Sequence, residues 1–145
     1  FGTTLSYILQ STKDKTSERC IDSFRTKLLD FENVDTAQRL SLAFTFKEIG
    51  RHAPTHFQRF AGSYLPLAYL GCHSDGKDEI EAWTTVWDEN TPGTRAGLRL
   101  YQDELLSIVL DMLASSSWQQ KRMAARTAAD TLNNIGPSLK EKLAT

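Results

Sequence analysis

The sequence predicts an all-α fold in which pairs of helices stack in series as an α-solenoid. Apolar residues recur at helical spacing along almost all of the 145 residues, and no stretch shows the polar–apolar alternation of a strand. Helix breaks that contain proline fall at Pro54, Pro92 and Pro137. Their spacing of 38 and 45 residues is close to the period of about 40 to 47 residues that is typical of HEAT and armadillo repeats.

Helix start and stop signals divide the chain into eight segments. Asp35 and Gln38 form a capping box ahead of the third segment, and Pro54 suits the first position of the fourth. Pro66 lies inside the fourth segment and predicts a kink or an early end there, because proline removes one backbone hydrogen bond. The predicted helices span residues 3–10, 17–31, 36–52, 55–70, 78–89, 94–114 and 118–135, and an eighth begins at 137.

An internal repeat supports the solenoid. The phrase AFTFKEIG at 43–50 reappears as ADTLNNIG at 129–136, about two periods later. We therefore predict about three HEAT-like repeats, at 17–53, 54–91 and 93–136, each too small to bury its apolar face alone. Because the chain starts with Phe1 and its last helix is short, we expect it to be a segment of a longer array.

Charge and composition narrow the class of partner. The chain has 17 Lys and Arg residues against 18 Asp and Glu residues, a net charge of −1, so it has no field that attracts nucleic acid. No apolar run approaches the roughly 20 residues that cross a bilayer, which predicts no membrane insertion. Cys20 and Cys72 are far apart and are expected to be two buried thiols.

The histidine and cysteine residues are the candidates that we considered for metal binding and for catalysis. His52 and His56 have metal-ligand spacing for one helix, but Pro54 divides them between two helices. Cys72 and His73 are adjacent, so their side chains diverge, and no second base is evident for a catalytic thiol. We predict no catalytic residue, no metal and no cofactor.

The stretch AWTTVWDENTPGTRAGLRLYQDELL at 82–106 is the most distinctive part of the chain. Trp83 and Trp87 share one helix face and are either core fillers or interface anchors. In a thin solenoid the core interpretation is favoured, with both tryptophans packed under Leu98 and Tyr101. Asn-Thr-Pro-Gly at 90–93 is then the turn that reverses the chain, with positive φ at its glycine.

The segment PGTRAGLR at 92–99 has two further interpretations. Glycine, backbone N–H groups and arginine meet at a helix start, as in anion sites, but the Gly-Lys-Ser ending of a phosphate loop is missing. Arg95 and Arg99 are four positions apart and share one face, so they are candidates for binding an acidic partner surface or a neighbouring loop.

The same stretch resembles the C-terminal part of the large proteasome-associated HEAT-repeat proteins, the proteasome adaptor and scaffold family. That family has a tryptophan pair, an Asn-x-Pro-Gly turn, a Gly-x-Arg-Leu-Tyr helix start and a later Ser-Trp, in this order. IGRHAP at 49–54 and LPLAYLGCH at 65–73 also resemble family phrases, while Ala96 replaces a usual glycine. The matching residues, which we take as family markers or interface candidates, are Trp83, Trp87, Asn90, Pro92, Gly93, Arg95, Gly97, Arg99, Tyr101 and Trp118.

This resemblance implies a non-catalytic scaffold that binds and bridges the proteasome core and regulatory particles and supports quality control of their assembly. It implies proteasome subunits as partners, and the cytoplasm and nucleus as location, with endosomal association of the parent protein. Two alternatives stay open. One is a binding module of another HEAT-repeat protein, such as a transport receptor or coat subunit, and the other is a helical enzyme.

Overall fold

A computed structural model describes residues 14–144, with side chains over 15–137. Every regular element in that range is helical, in agreement with the all-α prediction. The predicted helix at 3–10 lies outside the described residues. The helices are α1 (Asp14–Leu29), α2 (Thr36–His52), α3 (Pro54–Arg59), α4 (Ala61–Gly71), α5 (Lys77–Asn90), α6 (Thr94–Leu100), α7 (Gln102–Leu113) and α8 (Trp118–Ala144).

Local signals set the ends of several helices as predicted. The α2 capping box is complete, because Gln38 N–H donates to the Asp35 carboxylate at 2.8 Å and Asp35 N–H donates to the Gln38 side chain at 3.0 Å. Pro54 occupies the first turn of α3. A non-helical residue, Ile135 with φ −132° and ψ 26°, divides α8 where the seventh predicted helix ends.

Two predicted helices are each divided by a bend, which corrects the sequence analysis. The helix predicted at 55–70 breaks at Phe60, and the helix predicted at 94–114 breaks at Tyr101. Of the kink or early end predicted at Pro66, the early end is wrong, because α4 continues through Pro66 to Gly71. Pro66 is the sixth of the eleven residues of α4, and it removes a single bond, to the carbonyl of Gly62.

The two bends have the same geometry. Phe60 has φ −108° and ψ 21°, and Tyr101 has φ −116° and ψ 20°. Each follows a short helix and precedes a longer one, and they lie 41 residues apart, close to the repeat length expected of a helix-pair array. The repeat boundaries 17–53, 54–91 and 93–136 stay a prediction.

The helices are arranged around α4, as expected when helix pairs stack side by side. Helix α4 packs against α1 and α7 on its flanks and against α5, which in turn packs along α2. Nine of its eleven residues are buried, which is typical of a helix that is apolar on all sides. Edge-on contacts join Phe46 to Phe24, Tyr64 and Trp83, with ring centroids 5.0 to 5.3 Å apart. This aromatic core fixes the position of α5 and of the chain reversal that follows it.

Candidate interaction site

Residues 83–101, which we call the tryptophan corner, join the end of α5 to α6. Trp83 is fully buried and Trp87 is 3% exposed. Neither indole N–H has a hydrogen-bond acceptor within the described part of the chain. Both side chains are therefore held by packing alone, and shape decides their positions.

Trp83 packs flat against a glycine of the neighbouring helix α4. A Cβ atom placed on Gly71 would lie 2.3 Å from Cγ of Trp83, far inside van der Waals contact. On its other side the indole meets the edge of Phe46, with ring centroids 5.0 Å apart. Only a residue without a side chain can occupy position 71 while Trp83 stays where it is.

Trp87, one turn later, contacts a second glycine in the same manner. A Cβ atom on Gly97 of α6 would lie 2.8 Å from Cζ2 of Trp87 and 3.0 Å from the Thr91 methyl group. The Tyr69 ring lies 4.8 Å from the Trp87 ring, measured between centroids. This contact presses the backbone of α6 onto the end of α5.

The turn between the two helices is closed by side chains that bond back to α5. Asn90 Nδ2 donates to the Val86 carbonyl at 2.7 Å, and the Thr91 hydroxyl donates to the Trp87 carbonyl at 2.9 Å. These bonds use carbonyl groups of the last turn of the helix. Gly93 then adopts φ 148°, the positive φ that the sequence predicted and that favours glycine.

The short helix α6 has one buried and one exposed side. Gly97 and Leu98 are buried, whereas Arg95 and Arg99 point away from the core and are exposed. Tyr101 is half-buried at the bend that ends the helix. The corner therefore combines a packed inner side with a charged outer side.

Trp118 is the one family marker that lies apart from this corner. It begins α8, beyond the far end of the twelve-residue helix α7, which measures about 18 Å. Its ring is 62% exposed, and the Arg122 guanidinium lies 6.0 Å from the ring centroid. The structure thus does not bring Trp118 together with the other markers.

Hydrogen bonds and ion pairs also join segments that are distant in sequence, and the sequence analysis did not predict them. Arg39 and Glu79, both about 95% buried, are 3.4 Å apart between α2 and α5, and Arg39 also donates to the Leu28 carbonyl at 2.6 Å. The Tyr69 hydroxyl donates to Asp130 of α8. The partners are 40 and 61 positions apart, a separation at which no short motif could reveal the pairing.

A cleft of about 520 Å³ opens where α8 passes the start of α5. Asp75 accepts hydrogen bonds or ion pairs from Arg122 at 3.4 Å and Arg126 at 2.7 Å. His73 has Nε2 at 3.1 Å from Asp130 and Nδ1 at 2.8 Å from the Tyr69 carbonyl. The charged groups of this cleft are thus engaged in joining α4, α5 and α8.

The residues weighed for reactive chemistry have separate, structural surroundings. His52 pairs with Glu48 at 3.0 Å, whereas His56 meets the Tyr64 hydroxyl at 2.6 Å, and burial lowers the pKa of His56. Burial raises the pKa of the Cys72 thiol to about 12, so the thiol stays protonated at neutral pH. Over the described range we find no cluster of three or more His, Cys, Asp or Glu residues that suits a metal ion.

Relatives in several organisms match most of the chain. The human protein named "Proteasome adapter and scaffold protein ECM29" is 32% identical over 127 residues, which is 83% of this chain and 7% of the human protein. The chain belongs to the ECM29 family. The Drosophila melanogaster ECM29 homologue is 27% identical over 128 residues, 86% of this chain and 7% of that protein.

The ECM29 protein of Saccharomyces cerevisiae, named "Proteasome component ECM29", is 21% identical over 142 residues, which is 96% of this chain and 7% of the yeast protein. The chain thus spans about 7% of the length of these ECM29 relatives. No family model and no solved structure matches it. Within the described part of this ECM29 family member, none of the helices combines the length and apolar character needed to cross a membrane.

Proposed function

We propose that the chain is a non-catalytic scaffold segment of a proteasome-associated protein, and that the parent protein binds and bridges the core and regulatory particles. The observation that supports this proposal most strongly is the match to ECM29 relatives from four organisms, each named as a proteasome adapter, component or associated protein. Rigid helix pairs suit the role, because a stacked array offers an extended surface to large partners.

The proposal includes two finer parts. The parent protein supports quality control of proteasome assembly, and it resides in the cytoplasm and nucleus with an additional endosomal pool. Both parts come from family resemblance. The polar side chains that join separate segments support a structural role over a reaction, because Arg39, His73 and Asp75 are each engaged with another protein group.

Affinity capture of the full-length parent protein tests the proposal. We expect core and regulatory subunits to co-purify together, and crosslinking mass spectrometry to place both on one scaffold chain. Capture of a transport or coat complex without proteasome subunits would contradict the proposal and favour a different HEAT-repeat assembly. Capture of the core or the regulatory particle alone would leave association intact and contradict bridging.

A further inference from the structure

The outer side of α6 is a surface that the packing of the described residues leaves exposed. Four residues of α6 with helical spacing are all exposed there, namely Arg95, Ala96, Arg99 and Leu100, which we call the arginine face. Leu100 is 64% exposed, a high value for a large apolar side chain. A small surface that combines two cations with exposed apolar groups is typical of protein interfaces.

The two arginines of this face have no ionic or hydrogen-bond partner in the described part of the chain. Two other exposed arginines do have one, since Arg51 pairs with Glu89 and Arg122 with Asp75. Nearby Glu89 pairs with Arg51. Asp103 belongs to the next helix, α7, because the bend at Tyr101 ends α6, so it does not follow Arg99 by one turn of the same helix.

The arginine face is held in one orientation by the tryptophan corner. Gly97 lies against Trp87, and Leu98 is fully buried, so the opposite side of α6 must face outward. A surface that is already rigid loses less conformational entropy when a partner binds. Two guanidinium groups one turn apart, about 6 Å at their Cβ atoms, match carboxylates with a similar spacing.

We propose that the arginine face binds an acidic segment of a protein partner, with carboxylates on Arg95 and Arg99 and an apolar side chain on Leu100. The proposal rests on the proposed function, because it names the kind of surface that the scaffold recognises. A nucleic acid would need a longer basic track than one pair of arginines in a chain of net charge −1. The exposed Leu100 at one end of the face also favours a protein segment.

Charge reversal in the full-length protein tests this proposal. The variant carries Arg95→Glu and Arg99→Glu together. The control carries Lys27→Glu and Lys121→Glu, two exposed cations on α1 and α8 that make the same change in net charge. We expect the first variant to recover about tenfold less of at least one captured subunit, and the control to match the unmodified protein. In the complex with the unmodified protein, the Lys residues of that subunit that crosslink to the scaffold should lie beside an acidic stretch of the subunit.

Conservative variants separate charge from shape. Arg95→Lys with Arg99→Lys keeps both charges and should retain part of the binding, whereas Leu100→Ser should weaken it with the charges unchanged. Circular dichroism should be the same for all variants, because none of these side chains contacts the core. Raising the salt concentration should weaken capture by the unmodified protein more than capture by the charge-reversed variant.

The failure of each proposal looks different. If the unmodified protein and the charge-reversed variant capture the same amount of proteasome subunits, the proposal that the arginine face binds an acidic segment is wrong and the proposed function stands. Equal losses in the charge-reversed variant and the control also overturn the proposal for the arginine face, since the effect is then one of net charge.

If the unmodified protein captures no proteasome subunits, the proposed function fails. A fluorescein-labelled helical peptide with glutamates four positions apart and an adjacent leucine then decides the arginine face, which is overturned if the protein does not bind this peptide more tightly than its glutamine counterpart.

Discussion

The two tryptophans of α5 use the same contact in two different places. Trp83 lies on Gly71 in the aromatic core, between α4 and Phe46 of α2. Trp87 lies on Gly97 at the edge of the fold, where the chain reverses into α6. The first approach is closer, 2.3 Å against 2.8 Å to an added Cβ atom, and Trp83 is fully buried.

The same contact, a tryptophan packed on a glycine, therefore has two roles. It stabilises the core at Trp83, and it orients an exposed helix at Trp87. The contact of Trp83 joins two core helices, so we expect its loss to affect the whole fold. The contact of Trp87 fixes a short helix with an exposed outer side, so we expect its loss to act mainly on the orientation of that helix. The predictions below separate these two roles.

Gly71→Ala should have the largest effect. In an unconstrained helix this change stabilises by about 1 kcal/mol, but here the new methyl group collides with the Trp83 ring. We expect the free energy of unfolding to fall by about 3 kcal/mol, the upper part of the usual range for overpacking. Urea denaturation followed by circular dichroism measures this change, and an unchanged midpoint would show that the ring is free to move.

Gly62→Ala is the matched control within the same helix. A Cβ atom at Gly62 would lie 3.7 Å from the Glu104 side chain, an ordinary contact. We expect this variant to be neutral or stabilised by up to about 1 kcal/mol, because alanine has the higher helix propensity. Destabilisation comparable to that of Gly71→Ala would mean that the helix itself, not Trp83, requires glycine.

Gly97→Ala should have an intermediate effect. The atoms nearest to the added methyl group belong to the edge of the Trp87 ring and to the methyl group of Thr91, at the C-terminal end of α5. We expect a loss of about 2 kcal/mol. Hydrogen exchange should increase first in residues 94–100, and a uniform increase over α4 and α5 would contradict a local role.

Gly93→Ala should cost less, about 1 kcal/mol, through backbone strain alone. No atom lies within 4 Å of an added Cβ atom at this position, but φ is 148°. Because the turn is exposed, it can relax to a different conformation. Thermal unfolding should show a small decrease in Tm, and a decrease as large as that of Gly71→Ala would indicate a packing contact that the structure lacks.

Arg95→Gln with Arg99→Gln should have the smallest effect on stability, within about 0.5 kcal/mol, because neither side chain has a partner in the described part of the chain. The same urea titration measures it. A clear loss of stability would show that the arginines support the fold, and the arginine face would then be a structural feature.

Periodicity predicted the helices well where local signals mark their ends. The capping box at Asp35 and the proline at 54 placed α2 and the start of α3 correctly. The bends at Phe60 and Tyr101 were missed, because neither residue is a glycine or proline and the apolar pattern continues across both. Tertiary packing, not local preference, sets these bends.

The candidate site was predictable in part. Helical spacing placed Trp83 and Trp87 on one face, and the Pro-Gly turn was evident from residue type. The glycine partners of the two tryptophans could not be predicted, because each pairing depends on how two helices meet. The Arg39–Glu79 and Tyr69–Asp130 bonds join segments far apart in sequence and carry no local pattern.

The central claim is that the Trp87–Gly97 contact holds α6 with its arginines outward. A double-mutant cycle of Gly97→Ala and Trp87→Phe tests it most directly, since phenylalanine lacks the two ring atoms, Cζ2 and Cη2, that lie closest to position 97. We predict that Gly97→Ala costs about 2 kcal/mol in the unmodified chain and clearly less in the Trp87→Phe chain, where the Thr91 methyl group at 3.0 Å is the one close contact left of the three. An equal cost in both chains would contradict the account.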